Sequence, residues 1–184
     1  MKFTKTHIES LIIIEPKIFR DSRGYFFESY NYKEFGKNGI PNVFVQDNQS
    51  YSTHGTIRGL HFQKGKYAQA KLVRVIKGTV LDVAVDLRPD SPTYGQYITA
   101  ELSAEKKNML FIPRGFAHGF SVLSGEATLF YKCDNFYNPR ADGGIRFDDP
   151  ILNINWRIPE NLTIVSNKDR NLPYLDSKIF QKGR

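Results

Sequence analysis

The chain has 184 residues, enough for one domain with a real core and too few for two of ordinary size. Its single cysteine, Cys133, excludes an intramolecular disulfide framework and suits a reducing compartment. The formal net charge of +7 favours anionic partners, but the lysines and arginines are scattered, which argues against nucleic acid and fits a small phosphorylated ligand.

Along the chain, short apolar or period-two runs alternate with turn residues. LIIIEP ends at Pro16, and its apolar run Leu11 to Ile14 is far too short for a signal segment or a membrane span. A cytoplasmic protein without a membrane partner is therefore expected. GYFFESY follows the turn DSRG, YKEFGKN has the spacing of a short helix, and VFVQDNQ, TIRGLHF and QAKLVRVI read as strands. In LDVAVDL, residues Leu81, Val83, Val85 and Leu87 share one face, while Asp82, Ala84 and Asp86 share the other. QYITAEL, NMLFIP, HGFSVLS and ATLFYKC continue the strand series. Residues 134–150 turn polar, with Gly143 and Gly144 adjacent, and predict a long loop. Residues 153–184 are less regular and predict a C-terminal arm packed on the barrel, with a second short helix near Ser177 to Phe180. The pattern predicts a single all-β domain over 1–184, a sandwich or barrel with short peripheral helices.

Two segments carry histidines in strand-like settings, RGLHFQ and IPRGFAHGF. The second resembles the latter half of the cupin metal motif. A barrel strand supplies two metal ligands by alternation, as His-x-His, yet Gly59 and Gln63 flank His61 at those positions. The metal reading weakens accordingly, and no metal or cofactor is expected. His7 and His54 read as surface residues. An isolated barrel histidine is as often structural as functional; its company decides. On strand parity Lys71 shares a face with Val73 and Val75, where a cation needs a partner or a task. Tyr131 shares a face with Leu129 and Cys133, so its hydroxyl is carried inward. Arg58 has the opposite parity to His61, and a bulge at Gly59 is required to bring both to one site. Such a set suits proton abstraction beside a carbonyl: a base, an acid and a cation for the enolate oxygen, with Arg58 and Arg23 on phosphate. Histidine, with a reference pKa of about 6.5, is placed as base, and tyrosine, at about 10, as acid.

From RGYFFES through FVQDN, RGLHFQ, AQAKLVRV, DVAVDLR, SPTYGQ, IPRGFAHGF and LFYKCDNFY to SNKD, the chain closely resembles the dTDP-4-dehydrorhamnose 3,5-epimerases. The resemblance implies a cupin-like jelly-roll barrel, a homodimer, a dTDP-sugar substrate and cofactor-free epimerisation at C3 and C5 of a 4-keto sugar. By position it implies His61 as base, Asp169 as the carboxylate that orients it, Tyr131 as proton donor and Lys71 near the C4 oxygen. It further implies ligand contacts at Arg23, Glu28, Gln46, Asp47, Asn48, Arg58, His118, Asp142 and Lys168, with Phe19 and Tyr137 packing the nucleotide base. Asp142 stands where the family often carries Glu. Glu28, Asp47 and Lys168 read equally well as ordinary surface charges. An epimerase or ketoisomerase acting at one carbon, a non-catalytic sugar-nucleotide barrel and a metal-dependent cupin oxygenase remain as alternatives.

Overall fold

The computed structural model describes residues 1–175, so the helix expected near Ser177 to Phe180 and the end of the arm lie outside the described residues. In chain order the strands are β1 (Lys2–Lys5), β2 (Ile12–Glu15), β3 (Phe19–Asp21), β4 (Gly24–Phe26), β5 (Gln46–Thr53), β6 (Ile57–Gln63) and β7 (Lys71–Lys77). They continue as β8 (Thr79–Asp86), β9 (Tyr97–Ser103), β10 (Met109–Ile112), β11 (Phe116–Val122), β12 (Glu126–Cys133) and β13 (Asp142–Gly144). The short helix α1 (Tyr32–Lys37) falls on the predicted YKEFGKN, whereas the short helix α2 (Asn167–Arg170) lies in a stretch read as irregular arm. Asn31 caps α1 by accepting from the Lys33 and Glu34 N–H groups.

Two antiparallel sheets face each other, in the orders β1-β2-β10-β7-β12-β5 and β13-β6-β11-β8-β9. Val73, Val75, Leu110, Ile112 and Leu129 from the first meet Val80, Ala84, Leu102, Phe116, Phe120 and Val122 from the second, forming the central core. This is the all-β jelly-roll architecture expected. Outside the first sheet, Phe35 of α1 and Ile40 pack on Ile14, Leu72, Met109 and Phe111. Outside the second, Leu152, Trp156 and Leu175 cover Leu81, Val83, Val85 and Ala117.

β8 therefore has apolar layers on both sides, and its alternation is not a core face opposite a wet one. The apolar set lies under the C-terminal segment, while Asp82 and Asp86, both 0% exposed, lie on the inward side with Val80 and Ala84. Residues 134–150 also differ from a plain loop. Asp142, Gly143 and Gly144 pair with Gln63, Phe62 and His61, adding β13 to the sheet edge. A Cβ on Gly144 would sit 2.6 Å from the Leu60 carbonyl oxygen, so this close approach needs glycine. A three-residue strand with two glycines shows no side-chain periodicity, which is why it read as loop. GYFFESY and VFVQDNQ form strands only in part, over Gly24–Phe26 and from Gln46 onward, and β1 escaped the pattern because KFTK is mostly polar and exposed. Among the described residues the β3–β4 hairpin pairs only with itself.

Candidate active site

One end of the barrel opens into a cavity of about 270 Å³ lined by Gln46, Asn48, His61, Phe62, Gln63, Gln69, Lys71, Tyr131, Tyr137, Asp142 and Lys168. His61 and Lys168 also border a second groove of about 570 Å³, which Arg58, Ser166 and Asp169 line further along.

His61 owes its position to a bulge in β6. Against β11, His61 pairs with His118 but Arg58 pairs with Phe120, so Gly59 and Leu60 of β6 stand opposite the single residue Gly119 of β11. Gly59 sits in this bulge with φ +131°, and a Cβ there would lie 2.5 Å from Gly119 Cα. The expected bulge at Gly59 is present. Arg58 turns its guanidinium to Ser52 Oγ and the Tyr51 carbonyl, at 2.9 and 3.1 Å, on the wall of the second groove.

Asp169, remote in sequence, closes on this strand. Its Oδ1 lies 2.8 Å from His61 Nε2 and its Oδ2 accepts from the Gly59 N–H at 3.1 Å. Ser166 caps α2 by accepting from the Asp169 N–H at 3.1 Å, which holds the carboxylate in place. Burial of Asp169 opposes ionisation, but the bonds from His61 and Gly59 win and its pKa falls below the usual value. With Nε2 committed to a carboxylate, Nδ1 is the nitrogen left to take a proton from a ligand.

Tyr131 comes from the opposite sheet, so imidazole and phenol face each other across the cavity. Burial raises the Tyr131 pKa above its ordinary value, keeping the phenol protonated at neutral pH. The Lys71 ammonium lies 5.7 Å from the Tyr131 ring centroid. Burial lowers the Lys71 pKa, against the pull of Cys133 and the carboxylates of Asp82 and Asp142. Burial likewise pushes the Cys133 thiol up to about 11. Gln46 donates to Asn48 Oδ1 at 3.1 Å and accepts from the Tyr137 N–H at 3.0 Å, tying the Tyr137 loop to β5. Lys168 and Asp142 form an ion pair on the rim.

Other expected residues lie elsewhere. Asp47 has the opposite parity to Gln46 and Asn48 and pairs with Lys132, at 2.9 Å, on the outer side of its sheet. Glu28 accepts from Asn31 at 2.9 Å, next to Ser29 in a cleft on that same outer side. Arg23 pairs with Asp21 on the exposed β3–β4 hairpin, which also carries Phe19. None of these four lines the cavity of its own chain. His118 is buried behind the lining residues, 5% exposed, with its ring 6.5 Å from that of Tyr131. His7 and His54 are exposed, as expected. Sequence reasoning missed Asp82, which bonds to His118, and the cavity residues Gln63 and Gln69. For Asp82, the usable signal was an aspartate at the centre of a strand whose other face is wholly apolar. Among the described residues no group of three or more His, Cys, Asp and Glu is placed to hold a metal ion.

The sequence profile of the dTDP-4-dehydrorhamnose 3,5-epimerases matches residues 5–177. This chain belongs to that family. It is 48% identical over 183 residues to the dTDP-4-dehydrorhamnose 3,5-epimerase of Escherichia coli strain K12, covering 99% of this chain and 98% of the relative. The crystal structure of the Elizabethkingia anophelis NUHP1 epimerase superposes with a TM-score of 0.92 at 52% identity, over 100% of this chain and 99% of that one. A dTDP-6-deoxy-D-glucose-3,5-epimerase from Legionella pneumophila Philadelphia 1, solved with dTDP-4-keto-L-rhamnose, gives 0.91 at 44% identity, over 97% and 96%. Family members thus share the jelly roll, and the similarity extends over the whole barrel.

Proposed function

We propose that the chain is a dTDP-4-dehydrorhamnose 3,5-epimerase, an isomerase that inverts C3 and C5 of dTDP-4-dehydro-6-deoxy-D-glucose to give dTDP-4-dehydro-L-rhamnose. The observation that carries the mechanism is the opposition of the His61–Asp169 pair to Tyr131 across one cavity. Both carbons flank the C4 carbonyl, which acidifies their C–H bonds. His61 removes a proton, the electron pair moves into the carbonyl to form an enolate, and Lys71 stabilises the oxygen. Tyr131 then delivers a proton to the other face of the carbon; His61 gives its proton to water and Tyr131 regains one from water, and repetition at the second carbon completes the reaction. Protons leave and return without a change of oxidation state, so the chemistry as written requires no cofactor.

Asp169 keeps the His61 ring in one tautomer and balances the imidazolium that forms. Arg58, Lys168, Asn48 and Gln46 are proposed to bind the nucleotide diphosphate and sugar, with Tyr137 stacking on the base. The enzyme is further proposed to work as a homodimer in which Phe19, Arg23 and Glu28 serve the partner's cavity. In support, their hairpin pairs only with itself and exposes Phe19, Tyr25 and Phe26. A cytoplasmic location is proposed on the single, unpaired cysteine; among the described residues no helix is long and apolar enough to cross a membrane.

Incubation with the keto-sugar nucleotide in heavy water tests the reading. Deuterium is expected at both C3 and C5, and the His61→Ala protein should lose exchange at both. Exchange at one carbon selects a single-site epimerase, and binding without exchange selects a non-catalytic barrel.

A further inference from the structure

Beneath the cavity, a second imidazole–carboxylate pair repeats the layout of the first. His118 on β11 is the cross-strand partner of His61 on β6. Its Nε2 lies 3.0 Å from each carboxylate oxygen of Asp82, on the inward side of β8. The two side chains are 6% and 0% exposed. An ionised carboxylate this deep is costly unless paired, and its neighbours on the same face, Val80 and Ala84, show what plain packing at this level uses. Among the described residues neither oxygen is spent on a lysine or arginine; both are directed at one ring.

We propose that Asp82 is a positioning residue, acting through His118. Its carboxylate holds the ring as the Nε2–H tautomer and leaves Nδ1 as a hydrogen-bond acceptor beside Tyr131 for a hydroxyl of the bound sugar. This rests on the epimerase reading given above. An imidazole donates through one nitrogen and accepts through the other, and the bond made by the first decides the role of the second. Burial lowers the His118 pKa; Asp82 opposes the shift, while Lys71 and His61 add to it, so the ring is neutral at pH 7. A neutral ring with Nε2–H turned to Asp82 has no second proton to give. It therefore orients a donor and does not compete with Lys71 for the enolate oxygen. The edge-on approach of the His118 ring to Tyr131, at 66°, places this acceptor beside the proposed acid.

The test compares wild type, Asp82→Asn, His118→Ala and the double variant with dTDP-4-dehydro-6-deoxy-D-glucose. Asp82→Asn should lower kcat by on the order of tenfold or more, with KM within about threefold, because the diphosphate contacts lie elsewhere. The double variant should be no slower than His118→Ala, since the two residues act as a unit. Full kcat in a folded Asp82→Asn protein overturns the proposal, and so do losses that multiply in the double variant. If Asp82→Asn does not fold, nitrogen-15 chemical shifts of His118 in the wild-type protein decide. An unprotonated Nδ1 at neutral pH supports the assignment, and a protonated Nδ1 overturns it. Wild type that exchanges no deuterium overturns the epimerase reading instead, and the tautomer measurement still judges Asp82.

Discussion

Tyr131 and His61 are carried by facing sheets, and this division gives them different work. Tyr131→Phe keeps the ring and its packing but removes the only proton the residue can give. Completed inversion should fall by about a hundredfold or more, while loss of the first proton, read as disappearance of the C–H signal in heavy water, should fall much less. Equal survival of both steps would remove Tyr131 from the role of acid. At this scale the sequence was informative where a polar group broke an apolar parity, as at Lys71 and Tyr131. It was uninformative for Asp169, whose partner is reached by a turn of chain that no periodicity announces. The placement of Arg58 followed from a single glycine, because an odd spacing can share a face only across a bulge. Asp47 shows the limit: its neighbours Gln46 and Asn48 line the cavity, and strand alternation alone turns it away.

Between β8 and β9, the chain is held by one buried carboxylate. Asp86 accepts from Arg88 Nε at 2.9 Å, Arg88 NH2 at 2.7 Å, Ser91 Oγ at 2.6 Å and Thr93 Oγ1 at 2.7 Å. Burial would raise its pKa, but these donors outweigh it and lower the value from 3.8 to about 2. A depressed acid stabilises the fold fully above pH 3.8 and loses that contribution as pH falls toward about 2. Asp86→Asn should therefore cost roughly 2 kcal/mol at pH 7, measured by urea unfolding, and the difference from wild type should shrink as pH falls through 3. A difference independent of pH would mean that the network acts by packing alone. Most central strands were legible because β-branched and aromatic runs sit between turn residues. β13 is the exception, since it lacks side chains to alternate; β8 was legible as a strand, and only the inward placement of its polar face was not.

For the whole molecule, the open question is the surface that a single chain leaves uncovered. Phe19, Tyr25 and Phe26 are more than half exposed on a hairpin that no sheet supports. Sedimentation should report the mass of two chains, and Phe26→Asp should shift the protein toward the monomer with a parallel fall in activity, although His61 and Tyr131 are untouched. A monomer with full turnover would end the idea of shared sites. The jelly roll itself needed no knowledge of this surface, because its core closes between the two sheets of one chain.

The sheet bearing His61 and His118 is clad on both sides, by the central core and by the segment containing Leu152, Trp156 and Leu175. A ring anchored to Asp169 on such a wall has little room to travel. C3 and C5 lie on either side of the carbonyl, so one stationary base can reach both only if the substrate moves. In the mechanism proposed above, the sugar therefore swings about its diphosphate tether between the two proton transfers. The timing of that swing, set by how loosely the pyranose is gripped while the nucleotide stays anchored, governs how much singly inverted intermediate escapes.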